Sequence, residues 1–198
     1  GGSIETSGHR LTVEGLASAA SDSGRAGKWL LDPANVFIEA DSVTPAQAVS
    51  GGTNTYTADD TKIHASQIES VLNTGTDVEI VTGSPTSGPE GNIMVNAPIH
   101  KTAGSDVKLT LKAWHNIVVN RDIASTSGKL GFDFLSASDD KNGGGYIRVN
   151  AVHLNTNGGN LLLHGGTNRD GVDYASSSWD AAGILLNGTT IDTSGGSV

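Results

Sequence analysis

Aliphatic residues along this chain alternate with other types in short runs, and Gly, Asn, Asp and Ser cut the runs apart. A period of two predicts strands whose alternate side chains face one interior. One run keeps returning. Ile93-x-Val95-Asn96 is followed by Ile99, Ile117-x-Val119-Asn120 by Ile123, Ile147-x-Val149-Asn150 by Leu154, and Ile184-x-Leu186-Asn187 by Ile191. Val36-x-Ile38-Glu39, followed by Val43, is a weaker copy. Between these lie strands of a second type, at Val78–Val81, Val107–Leu111, Leu130–Phe134 and Leu161–Leu163. A third phrase recurs as Ile4-Glu-Thr-Ser-Gly8, Leu154-Asn-Thr-Asn-Gly158 and Ile191-Asp-Thr-Ser-Gly195.

Ile93 and Ile117 are 24 positions apart, and Ile117 and Ile147 are 30 apart. Repeats of this length mark solenoids, in which one turn cannot bury its apolar face alone and stacking supplies the core. Strand periodicity excludes helical solenoids and predicts an all-β parallel β-helix. In that fold Ile93 and Val95 point inward and Met94 outward, as do its counterparts Val118, Arg148 and Leu185. Asn96, Asn120, Asn150 and Asn187 fall at the corner, where Asn suits a left-handed turn, and they stack into a hydrogen-bonded structural ladder. About eight coils would span about 40 Å at the usual strand spacing. Two segments break the pattern. Thr61–Leu72 carries helical spacing, so a short helix is expected near residues 61–72. Residues 167–181 are polar and are expected to form a loop insertion.

Composition narrows the function classes. Apolar residues make up 36% of the 198 residues and aromatics 5%, with 27 glycines, which suits thin stacked coils better than a helical globule. A net charge of −9 argues against nucleic acid, whose backbone needs clustered Lys and Arg. With no cysteine, there is no disulfide framework, thiol nucleophile or Cys-based metal site. No apolar run is long enough for a membrane span, so no membrane insertion is expected.

Lys28-Trp-Leu-Leu-Asp-Pro-Ala-Asn-Val-Phe-Ile38, with Gly27 before it, is the most distinctive stretch. Together with Gly2-Ser-Ile-Glu-Thr-Ser-Gly8 it resembles the passenger of the two-partner secretion family, the filamentous-haemagglutinin-like and high-molecular-weight adhesins of Gram-negative bacteria. The resemblance covers most of residues 1–166 and again 183–198. It implies a right-handed β-helix, exported through an outer-membrane two-partner secretion transporter and then secreted or held at the cell surface. It also implies virulence-associated cell adhesion. The Asn-Pro-Asn-Leu and Asn-Pro-Asn-Gly runs of the family's secretion domain do not occur, so the chain is expected to be one β-helix segment of a longer exoprotein, downstream of that domain.

Enzymatic motifs are missing: no G-x-S-x-G, H-E-x-x-H, P-loop or dinucleotide fingerprint occurs. Gly24–Lys28 lacks phosphate-loop spacing and reads as a turn. Six histidines form no ligand pair, although His115 and His164 flank strands that could neighbour each other. The acidic, glycine-rich Asp139–Gly145 lacks a calcium-loop pattern. No metal or cofactor is expected. Binding is assigned to the 167–181 loop through Arg169, Asp170, Tyr174 and Trp179, where exposed aromatics suit a host glycan or surface protein. The expected function is a non-enzymatic structural or adhesive segment. The alternatives are the stalk of a contact-dependent toxin-delivery protein and a carbohydrate-active β-helix enzyme. For the enzyme, Arg148, Arg121, Asp122 and Asp133 are the outward candidates.

Overall fold

A computed structural model describes residues 1–21, 25–42, 60–83, 91–137, 145–165 and 183–198. In chain order the elements open with β1 (Ser3–Ser7), β2 (Gly27–Asp32), β3 (Asn35–Glu39), β4 (Asp60–His64), α1 (Ala65–Asn73) and β5 (Thr76–Val81). Then follow β6 (Ile93–Val95), β7 (Ile99–Lys101), β8 (Val107–Lys112), β9 (Ile117–Val119), β10 (Ile123–Ser125) and β11 (Leu130–Ser136). The last are β12 (Ile147–Asn150), β13 (His153–Asn155), β14 (Leu161–Gly165), β15 (Ile184–Asn187) and β16 (Thr190–Asp192).

Every pairing among these strands is parallel, and three sheets result. Sheet A runs β1-β2-β5-β8-β11-β14, sheet B runs β15-β12-β9-β6-β3-β4, and sheet C runs β16-β13-β10-β7. From β5 onward the chain visits A, B and C in turn, which is a parallel β-helix. Among the described residues sheet A holds six strands, which span about 24 Å from first to last.

The aliphatic repeats set the register. Val36, Ile93, Ile117, Ile147 and Ile184 pair successively in sheet B, as do Ile38, Val95, Val119, Val149 and Leu186. In sheet A one inward column is Trp29, Val78, Leu109, Phe132 and Leu161, and the next is Leu31, Ile80, Leu111, Phe134 and Leu163. Ile99, Ile123, Leu154 and Ile191 form the sheet C column. Ile93, Ile117 and Ile147 are wholly buried, whereas Ile184 on the outermost strand is 38% exposed. Coils on both sides therefore close the core, and each buried Val, Leu or Ile contributes about 1.5–3 kcal/mol. Of the third phrase, Leu154 and Ile191 stack in sheet C, but Ile4 pairs with Trp29 in sheet A. Its likeness to the other two is local and does not reflect an equivalent place in the coil.

The tryptophan phrase now has a packing account. Gly27 opens β2 where a Cβ would lie 1.9 Å from the Ala19 carbonyl oxygen. Trp29 then turns inward, 2% exposed, with its indole Nε1–H donating to Thr6 Oγ1 at 3.2 Å. Gly27 and Lys28 belong to this strand and not to a turn.

Thr61–His64 is not helical. Ile63 lies opposite Ile38 in the β3–β4 pair, so its burial uses strand periodicity, and the helix starts at Ala65. Gln67 Oε1 accepts from the His64 backbone N–H at 3.2 Å, capping the first turn. β4 lies on the far side of β3 from β6, an extra strand inserted into sheet B. α1 buries Ala65, Ile68, Val71 and Leu72 against β5 and β7, where a sheet C strand would otherwise close the coil.

Corner asparagines do form a ladder, polarised one way. Asn150 Nδ2 donates to Asn120 Oδ1 at 2.9 Å, Asn120 Nδ2 to Asn96 Oδ1 at 3.0 Å, and Asn96 Nδ2 to Glu39 Oε1 at 2.8 Å. Asn187 stands in register above Asn150 on the exposed outermost strand, but no side-chain bond joins the two among the described residues. None of these asparagines has positive φ; Ala151, just after Asn150, does, at +50°. The residues hold the corner by linking coils, not by adopting a left-handed turn. Asn120→Ala removes both of its ladder bonds and leaves Asn96 and Asn150 each one partner short. Urea unfolding should show a loss of about 1–2 kcal/mol.

A second ladder precedes the sheet B strands. Asn116 Nδ2 donates to Asn92 Oδ1 at 2.9 Å, the Asn92 N–H to Asn35 Oδ1 at 2.9 Å, and Asn35 Nδ2 to Asp60 Oδ1 at 3.1 Å. At the turn from sheet C to sheet A, Lys101, Ser125, Thr156 and Thr193 fill one register position. Each donates to the carbonyl three residues on: Lys101 Nζ to Gly104, Ser125 Oγ to Gly128, Thr156 Oγ1 to Gly159 and Thr193 Oγ1 to Gly196. Gly104 has φ +80°, and a Cβ there would lie 2.4 Å from the Asn73 carbonyl oxygen.

Candidate functional site

Where inward positions of sheet A build the core, the alternate positions build a charged outer face. Register places Lys28, Asp77 and Lys108 in one outward column. A central column carries Glu5, Leu30, Glu79, Thr110, Asp133 and Leu162, and a third carries Asp32, Val81, Lys112, Leu135 and His164. Charges in these columns meet diagonally. Glu79 receives Lys28 Nζ on one oxygen and Lys112 Nζ on the other, each at 2.5 Å. Two coils higher, Asp133 receives His164 Nε2 at 2.9 Å and Lys108 Nζ at 3.4 Å. Each group is thus a base one coil below, a carboxylate, and a base one coil above. A cleft of about 280 Å³ runs across them.

Exposure is uneven within each group. The Glu79 side chain is 11% exposed beneath Lys28 and Lys112, which are 46% and 38% exposed. Burial alone would raise the Glu79 pKa, but the hydrogen bonds and charges of Lys112 and Lys28 outweigh it and hold the carboxyl below its ordinary range. Burial dominates at Asp77 and raises it, against the Lys108 backbone N–H, which donates to Asp77 Oδ1 at 2.8 Å, and the charges of Lys108 and Lys28. Asp32 is raised by burial and then by Glu5, since the base of the higher groups is replaced here by a second acid.

A depressed folded-state pKa means that ionised Glu79 stabilises the fold. That contribution is complete above the ordinary value of 4.5 and fades as pH falls through the lower folded-state value. Glu79→Gln should therefore cost about 1 kcal/mol at neutral pH, since half-exposed lysines are screened. The difference from wild type should vanish in acid. Urea midpoints compared at neutral and acidic pH check both statements.

Lys28 and Lys112 engage the two oxygens of Glu79, and Lys108 and His164 those of Asp133. No aromatic ring lines the cleft among the described residues. The groups that face outward are ammonium donors. Among the described residues no cluster of three or more His, Asp or Glu could hold a metal ion.

Of the four outward residues expected for catalysis, only Asp133 belongs to this face. Arg148 lies over the Tyr146 ring on sheet B at 4.9 Å. Arg121 donates to the Asn120 carbonyl at 2.7 Å, and Asp122 accepts from the His153 N–H at 2.7 Å, both at the corner between sheets B and C. His164 stands in register above Leu135 and Lys112, away from His115 at the A-to-B corner. Arg169, Asp170, Tyr174 and Trp179, and the Asp139-Asp140 acidic pair, lie outside the described residues.

Compared with known proteins, the chain matches no family model and no curated protein. No described helix is long and apolar enough to cross a membrane.

Proposed function

We propose that this chain is a non-enzymatic adhesive segment of a secreted or surface-displayed bacterial exoprotein. In this reading its rigid stack of coils carries a binding face away from the cell. Export through an outer-membrane transporter of the two-partner type belongs to the same reading, which rests on the tryptophan phrase around Trp29 and on the parallel β-helix. The observation that carries the non-enzymatic part is the pairing at the outer face of sheet A. Glu79 and Asp133, the carboxylates best placed for acid–base work there, each have both oxygens engaged, Glu79 by Lys28 and Lys112 and Asp133 by Lys108 and His164. A glycosidase needs one carboxyl to donate a proton and another free to attack or activate water.

Beads coated with the purified chain test the reading on host-cell monolayers and on immobilised glycans, alongside incubation with soluble polysaccharides. Adhesion above that of uncoated beads, with no new reducing ends or unsaturated sugars, is the expected result. Polysaccharide cleavage, or beads that adhere no better than uncoated ones, would overturn it.

A further inference from the structure

We infer that the outer face of sheet A binds a linear polysaccharide carrying one carboxylate on every second sugar ring, laid along the axis of the solenoid. The inference rests on the adhesive reading above and names its ligand class. Three observations carry it.

The first is vertical order. Glu79 and Asp133 side chains are 11% and 24% exposed, while Lys28, Lys108 and Lys112 above them are 46%, 51% and 38% exposed. An ammonium has three donors. Glu79 takes one from Lys28 and one from Lys112, fixing both side chains and leaving their other donors toward solvent. A ligand approaching the cleft meets preorganised cationic donors, with the compensating acids underneath. The three lysines of the cleft are balanced by Asp77, Glu79 and Asp133, so attraction for an anionic polymer is local to the exposed ammoniums and does not come from a net charge of the face.

The second is spacing. Lys28 and Lys108 share an outward column two coils apart, as do Lys112 and His164. Two coils measure about 9.6 Å along the axis, close to the length of two pyranose rings in an extended chain. A carboxylate on every second ring would therefore meet successive groups in turn.

The third is what lies between. Glu79 lies on the coil between Lys28 and the Lys108 and Lys112 coil, and Asp133 on the coil between those lysines and His164. Asp77 stands between Lys28 and Lys108 in the flanking column. A neutral ring fits over that level, and a carboxylate there would face Asp77. Polymers charged on every ring are disfavoured by this repulsion.

Calorimetric titration of the folded chain tests the assignment with three oligosaccharides of equal length: hyaluronan, with one carboxylate per disaccharide; oligogalacturonate, with one per ring; and neutral chitin oligomers. Hyaluronan should bind with an affinity that rises with length and falls with salt, and the other two should bind at least about tenfold more weakly. Lys28→Gln with Lys112→Gln, or Lys108→Gln alone, should weaken hyaluronan binding about tenfold, which is 1.4 kcal/mol. Lys129→Gln, outside the cleft, should not change it. Thermal unfolding confirms that each variant is folded. Equal binding of oligogalacturonate, indifference to the lysine substitutions, or absence of hyaluronan binding would overturn the assignment. If coated beads still adhere when hyaluronan does not bind, the ligand class alone fails. If a titrated polymer is cleaved, the non-enzymatic reading fails.

Discussion

Phe134→Ala is expected to destabilise the protein by about 3–5 kcal/mol in urea unfolding, the cost of a large cavity where the core cannot collapse. Phe134 has no solvent exposure, and its ring lies 5.7 Å from that of Phe132, centroid to centroid. It sits between Leu111 one coil below and Leu163 one coil above. Parallel stacking holds these neighbours by backbone hydrogen bonds on both edges of β11, so they cannot close over the gap. Leu135 is the next residue on the same strand but points outward, and Leu135→Ala should cost less than about 1 kcal/mol. The contrast between adjacent positions follows from period-two alternation and would not arise if this segment were helical.

Lys101→Met should cost about 2–3 kcal/mol. Lys101 is wholly buried at the turn from sheet C to sheet A. Its ammonium donates to the Ala103 carbonyl at 2.7 Å, to the Gly104 carbonyl at 3.3 Å, and to the Ser127 carbonyl on the next coil. Methionine matches the stem but leaves buried carbonyls without a donor. Burial pushes the Lys101 pKa down, partly offset by the Asp106 charge. A depressed lysine pKa means that the unfolded chain holds the proton more tightly. Between the folded-state value and the ordinary 10.5, the unfolded state then binds more protons, and wild-type stability rises with pH relative to Lys101→Met. The gap between the two proteins should therefore widen as pH is raised through that window.

Columns of the solenoid were legible in the sequence because inward positions must be apolar on every coil. Ile93, Ile117, Ile147 and Ile184 pair as the repeat predicts, and so do the sheet C residues Ile99, Ile123, Leu154 and Ile191. The start of α1 was not legible, because Ile63 and Ile68 suit a helical spacing while Ile63 in fact pairs across a strand. Nor was the whole corner column of Lys101, Ser125, Thr156 and Thr193. The third phrase shows only Thr156 and Thr193; the column preserves a hydrogen bond to the third carbonyl onward, not a residue type, so likeness between residues does not extend it to Lys101 and Ser125. The charged face was hidden for a different reason. Lys28, Glu79, Lys112 and Asp133 each occupy an ordinary outward position, and the diagonal contacts appear only once the inter-coil register is known. Because the loops between coils differ in length, sequence spacing alone does not supply that register.

The central claim is that successive coils stack in parallel with the repeats side by side. The chain has no cysteine, so disulfide trapping can test it without background. Met94 and Val118 are outward neighbours on adjacent coils, and Arg148 follows one coil further. Adjacent strands lie about 4.8 Å apart, inside the range of about 4.4–6.8 Å between Cα atoms that a disulfide spans. Two coils, at about 9.6 Å, lie outside it. Oxidation of dilute Met94→Cys/Val118→Cys protein should form an intramolecular bridge in nearly every molecule, while Met94→Cys/Arg148→Cys should remain reduced. A bridge in the second protein but not in the first would contradict the stacked register on which the core, the ladders and the charged face all depend.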